Sequence, residues 1–399
     1  MRQSTWMCTT AMMALIGTAM PAEALTVSGA PKPAHYDVFR LGNPLGGTNA
    51  QGTSINIQNQ VAGFAALAGN TVMHAMFWHN GYKPVDLGTL GGPNSAVAWP
   101  NRNDKGELAG VAETATPQPL GETWSCAAAV FYLAPPTGDV CLGFRWRKGE
   151  MAELPTLGGD NGFATGSNNA GEIVGWAENT VRDPSCIAPQ ILQFEAVEWD
   201  AKNNQPTALP PLNGDPDSAA TAINDHGQIV GISGLCANAV GGASAEHMVL
   251  WQNDAPTNLG SLGGQYWNTP MDINENGDVT GFSDLPGDSV TAPNFNAFIW
   301  TPKGKIQNLT TLPGDSLSEG LGINDQDAVV GVSFPSGHAF IWQNGTIMDL
   351  NSLISPLSKL VLVDAQDIND DGVITGEAQD KSTGAIYAFV AVPGGRQGR

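Results

Sequence analysis

The chain has 399 residues, with 49 Gly, 27 Pro and only 14% charged side chains, against average usage of about 7% Gly and 25% charged. This excludes a coiled coil, while 42% apolar residues with eleven Trp exclude wholesale disorder. Seventeen basic against 38 acidic residues give a net charge of −21, which argues against a nucleic-acid or anionic-membrane partner.

Residues 1–24 are expected to be a signal peptide. Arg2 precedes an uncharged, mostly apolar run from Trp6 to Met20, and Ala22-Glu23-Ala24 forms an Ala-x-Ala cleavage site. A membrane anchor needs about 20 consecutive apolar residues, and Cys8-Thr9-Thr10 interrupt this run early. No later segment is apolar and long enough to span a bilayer. The mature protein is therefore expected outside the cytoplasm, extracellular or periplasmic. Residues 25–35 read as a linker, 36–393 as the folded body and 394–399 as a C-terminal tail.

From residue 36 onward one unit repeats seven times. Its most regular part is an Asn, a short turn, an apolar pair and a Gly: Asn56-IQNQVAG, Asn103-DKGELAG, Asn168-NAGEIVG, Asn224-DHGQIVG, Asn274-ENGDVTG, Asn324-DQDAVVG and Asn369-DDGVITG. Ile precedes the Asn at 223, 273, 323 and 368. The third residue after the Asn is Gly in five copies, Asn59 in the first and Asp327 in the sixth. These residue types tolerate positive φ, so a three-residue hairpin loop closing on a left-handed residue is expected. The Asn and Gly sets are read as turn chemistry.

Each copy carries two further strands. One ends in an aromatic motif, as in HAMFW (74–78), NAFIW (296–300) and HAFIW (338–342). The other is of the type PVDLGTL (84–90) and runs into a Gly- or Pro-rich bend. In chain order the strands are a (DLGTL), b (leading into the Asn), c (IVG) and d (AFIW). Four short antiparallel strands every 45–50 residues is the period of a propeller blade. The fold class is therefore all-β: a seven-bladed β-propeller of four-stranded antiparallel blades. The chain starts with strand a (35–42) and stops after strand d (385–393), so pairing of the first and last strands should close the ring. Ala391 stands where other copies have Trp, as a missing d–a turn predicts. The b–c and d–a turns fall on one face, the a–b bends and c–d links on the other. Blade order b-c-d-a or d-a-b-c stays open at this level.

Beyond Cys8 the cysteines are Cys126, Cys141, Cys186 and Cys236, all in the c–d links of copies two to four. An even count in an exported chain favours disulfides. Four cysteines allow three pairings; Cys126–Cys141 and Cys186–Cys236 are the favoured set. A metal site is disfavoured, because no C-x₂₋₄-C pair occurs and no His clusters nearby. The segment Asp367-Ile-Asn-Asp-Asp-Gly372 imitates the start of a calcium loop, but its twelfth position is Ala378, with Glu377 one place early. His74 and His338 share one repeat position and are read as blade packing.

The motifs HAFIW (338–342), DLGTLGG (86–92) and INDHGQIVG (223–231) together resemble the bacterial extracellular HAF-repeat family over about residues 36–393. The resemblance implies a secreted repeat protein and supplies no catalytic residues or cofactor. Insertions on one face of a repeat array often mark its binding side. On that face Asp160, Asp215, Asp315, Tyr266 and Trp267 are candidate ligand contacts, the Tyr-Trp pair stacking on a sugar and the carboxylates accepting its hydroxyls. The expected function is a non-enzymatic module, a monomer, binding a glycan or an extracellular protein. The alternative is a polysaccharide hydrolase or lyase, which three or more carboxylates converging in a channel pocket would favour. No catalytic residue, metal or cofactor is assigned.

Overall fold

The computed structural model describes residues 35–394 apart from 80–81, 123–130, 132–133, 135, 213, 238–241 and 290–293. The expected signal peptide, nearly all of the expected linker and tail, and Cys126 lie outside the described residues. Seven four-stranded antiparallel sheets form a ring. Six are continuous in chain order, spanning 46–86, 91–153, 162–208, 217–258, 268–310 and 317–349. The seventh combines Leu360–Ile368, Ile374–Asp380 and Ile386–Pro393 with the first strand, Tyr36–Arg40. That first strand runs antiparallel to the last, from Tyr36 opposite Pro393 to Arg40 opposite Phe389, so the ring closes as its ends imply. Among the described residues no helix is long and apolar enough to cross a membrane.

The blade order is b-c-d-a, with the a–b bend carrying the chain to the next blade. Strands b pack against one another around the centre, as in Asp217–Ile223 between Gly162–Ser167 and Asn268–Ile273. Strands a form the rim and are largely exposed, for example Lys83–Asp86 and Glu150–Glu153. Strands b, c and d are buried on both faces because each blade is sandwiched between two others. One such interface joins Val174, Ala196 and Leu209 of blade 3 to Ala220, Ile223, Ile229, Val249 and Trp251 of blade 4. Ionised groups are costly there, which is the physical source of the low charge content.

The repeated motifs have specific tasks. The third turn residue has positive φ in every copy, from 57° at Asp327 to 86° at Gly171, including 61° at Asn59. The d-strand indoles of Trp78, Trp199 and Trp251 donate to the Gly42, Pro155 and Pro210 carbonyls at 2.7, 2.8 and 2.7 Å, tying each blade to the bend that enters it. His74 and His338 hydrogen-bond Asp86 and Asp349 of their own blades at 3.0 and 2.9 Å. The His of HAF and the Asp of DLG are thus a cross-strand pair.

Candidate functional site

Two tiers of hydrogen bonds organise the b–c face. In each copy the repeated Asn accepts two backbone N–H groups of its own turn, as Asn224 Oδ1 does from His226 and Gln228 at 3.1 and 3.0 Å. Its side-chain amide then donates to the backbone carbonyl of the next blade's Asn. The seven donations run 56→103→168→224→274→324→369→56 and close the circle, at 2.6 to 3.4 Å. One residue on, backbone N–H groups donate to the next blade's side chain: Ile57 to Asp104, Asp104 to Asn169, Asn169 to Asp225, Asp225 to Glu275, Glu275 to Asp325 and Asp325 to Asp370. This second tier stops at Asp370, because Ile57 offers no acceptor.

Below these tiers Arg102 crosses the channel. Its guanidinium lies 3.3 Å from Asp272 Oδ1 through Nε, and Nη2 binds both Asp272 Oδ2 and the Ile323 carbonyl. Burial opposes the charged guanidinium, but Asp272 and then Asp367 outweigh it and raise its pKa. The carboxylates are themselves anchored: Asp272 accepts Ile273 N–H at 2.8 Å and Ile323 N–H at 3.0 Å, Asp367 accepts Ile55 N–H at 2.8 Å. The segment Asp367–Gly372 is accordingly the seventh b–c hairpin, its first carboxylate engaged with the ring.

The opposite, insert-bearing face holds a cup of about 640 Å³ at the channel mouth. Its polar wall is Glu319, Asp364, Glu377, Gln51, Gln366 and Ser336; its apolar wall includes Trp99, Phe64, Met271 and Phe334. Asp364 Oδ2 accepts the Gln51 and Gln366 amides at 3.0 and 3.1 Å, and Oδ1 accepts Glu377 N–H at 2.7 Å. Burial, with the Asp364 charge second, pushes the Glu319 carboxyl up to about 7. No hydrogen-bond donor of the described residues reaches that carboxyl, whereas Asp364 has three. The half-buried Trp99 ring is held edge-on to Phe163 and Trp176, with centroids 5.4 and 6.0 Å apart; its indole nitrogen has no hydrogen-bond partner among the described residues. Among the described residues no three His, Cys, Asp or Glu side chains are grouped to hold a metal ion.

The five sequence-predicted contacts are distributed over four a–b bends, and none lines the cup. Asp160 N–H donates to Glu178 at 3.2 Å. Asp215 accepts Ser233 Oγ at 2.7 Å and lies 2.9 Å from His247 Nδ1. Tyr266 N–H donates to Asp288 at 3.1 Å, and the half-buried Trp267 packs edge-on to Phe282 and at a similar distance to Phe295, 5.9 and 6.0 Å. Asp315 reaches the cup's rim indirectly, accepting Ser336 N–H at 3.0 Å and Ser336 Oγ at 2.5 Å. Cys186 and Cys236 form a disulfide joining the c–d links of blades 3 and 4. Cys141 is also disulfide-bonded.

Gln51, Glu319 and Asp364 were not singled out from the sequence, yet a signal for them exists. Each stands five residues before its repeat Asn, where other copies have Ala98, Phe163, Ala219 and Thr269. A carboxyl or amide side chain at that slot in blades 6, 7 and 1 marks the side of the channel where the cup opens.

No protein-family model and no curated protein sequence matches the chain. Solved propeller structures are similar in fold. An oligogalacturonate lyase in complex with manganese matches at 10% identity and TM-score 0.47, covering 91% of this chain and 97% of that one. Virginiamycin B lyase from Staphylococcus aureus matches at 9% identity and TM-score 0.48, covering 90% and 98%. A chain of the mitotic checkpoint complex matches at 11% identity and TM-score 0.46, covering 96% and 99%. Function has to be argued from the site.

Proposed function

We propose that this chain is an exported binding propeller of the HAF-repeat type that seats a glycan in the channel-mouth cup. The observation that carries the reading is the cup's mixed lining, in which the Trp99, Phe64 and Phe334 rings stand among carboxyl and amide groups. Sugars present apolar ring faces and a belt of hydroxyls, and sites of this composition take such ligands by stacking plus hydrogen bonding. The position of the cup on the face that carries the long c–d links of blades 2 to 4 agrees with that use. On this reading the seat is the channel-mouth cup and not the Tyr266–Trp267 bend.

A glycan array probed with wild type, Trp99→Ala and Glu319→Gln tests the reading. Wild type should bind a defined glycan set, with Trp99→Ala weakened by about tenfold or more, in keeping with loss of an aromatic contact at a binding centre. No binding by wild type, or unchanged binding by both folded variants, overturns it. One observation favours turnover as a second reading: three carboxyls line the cup, and Glu319 holds its proton up to about pH 7, as a general acid does. Release of new reducing ends by wild type but not by Glu319→Gln would establish it.

A further inference from the structure

The cup has an unbalanced charge inventory. Among the described residues Glu319, Asp364 and Glu377 line it, and no Lys, Arg or His does. The channel's own cation, Arg102, is engaged by Asp272 and adds no donor to the cup. Burial raises the Asp364 carboxyl, and the amide and backbone N–H donors on both its oxygens work against that by favouring its ionised form. Glu319 is different: it is half-buried in the wall beside Asp364, with no hydrogen-bond donor of the described residues reaching it. A carboxyl in this setting lacks both a donor and a counter-charge.

We propose that the occupant of the cup carries an ammonium group, as the glucosamine units of a deacetylated glycan do, and that Glu319 receives it. This rests on the reading of the cup as a glycan seat and specifies the sugar. An ammonium supplies N–H donors and one positive charge to the group that lacks both. It also gains from the aromatic lining, since a cation beside the half-buried Trp99 ring is attracted by the ring electrons. The same inventory rejects uronate glycans, whose carboxylates would enter a site with three acidic groups and no basic one. Neutral N-acetylated units fit the aromatic wall but leave Glu319 without a cation.

Calorimetric titration at pH 6, where the amine is charged and Glu319 gives up its proton to the buffer as the ammonium binds, with tetramers of glucosamine, N-acetylglucosamine and galacturonate separates the cases. Wild type should prefer the glucosamine tetramer over the acetylated one by about tenfold, the scale of a charge-assisted hydrogen bond, and should not bind the galacturonate. Glu319→Gln should erase that preference while keeping the wild-type melting temperature. Glu377→Gln, on the same wall, should retain most of it. Equal or tighter binding of the acetylated tetramer overturns the ammonium proposal and leaves the glycan seat standing. A preference unchanged in Glu319→Gln also overturns it, since the amine would then sit elsewhere. If neither these tetramers nor the array glycans bind, the glycan reading itself falls.

Discussion

Arg102 occupies the slot before the repeat Asn, where five copies have Ile and one has Ser167. A lone Arg in an apolar slot reads as an irregularity along the chain; in the ring it is a strap from blade 2 to blades 5 and 6. Replacing it with Leu leaves Asp272 and Asp367 buried without a cation. Breaking a buried pair on one side costs about 3–5 kcal/mol, so Arg102→Leu should lower the unfolding free energy by that amount, read as a lower denaturation midpoint. Adding Asp272→Asn should restore part of the loss, because the amide oxygen still accepts a backbone N–H. An unchanged midpoint for Arg102→Leu would show the pair to be dispensable. The repeat Asn teaches the complementary lesson. Its turn role is local, through its own N–H contacts two and four residues on, and was readable. Its donation to the next blade joins residues about fifty positions apart, which no local pattern encodes.

At the scale of the strand, closure depends on Tyr36–Arg40. It supplies the outer strand of the seventh blade and covers the edge of Ile386–Pro393. Tyr36 is itself buried, against Ile354 and Leu353 of the link before blade 7. A chain lacking residues 36–40 would expose an apolar strand edge, a template for pairing with another copy. Size-exclusion chromatography should then show dimers and larger species where the intact chain elutes as a single small species. A truncated chain eluting as wild type would mean that the three remaining strands protect their own edge. Strand order within the blade was not readable, since the repeat is cyclic: the same motifs satisfy b-c-d-a and d-a-b-c. The exposed a strands, packed on no inner neighbour, decide it.

For the whole molecule, burying acidic groups between blades sets the pH response. Burial is the leading cause that raises Glu178, Asp284, Glu319 and Asp367 to about 7 and Asp217 to about 8. In the unfolded chain these groups titrate near 4. Between about pH 4 and 8 the folded state therefore holds more protons than the unfolded one, and stability falls as pH rises. The melting temperature should be higher at pH 5.5 than at pH 8. Carboxyls held below their usual range, such as Asp86 and Asp315, withdraw their contribution only at still lower pH. A melting temperature that rises from pH 5.5 to 8 would contradict this account.

The sequence by itself determined the repeat number, the four-strand blade, the left-handed turn residue and the closure by the chain ends. Each follows from periodicity or from the backbone needs of a single turn, which neighbouring residues specify. Tertiary structure decided the blade order, the closed Asn circle, the Arg102 strap and the location of the cup. Those depend on which residues of distant copies face one channel: Gln51, Glu319 and Asp364 lie up to 313 positions apart and meet only when seven blades close. The bend residues Asp160, Asp215, Tyr266, Trp267 and Asp315 were conspicuous because polar and aromatic groups stand out in glycine-rich turns. In the folded ring those turns need such groups for their own hydrogen bonds and packing.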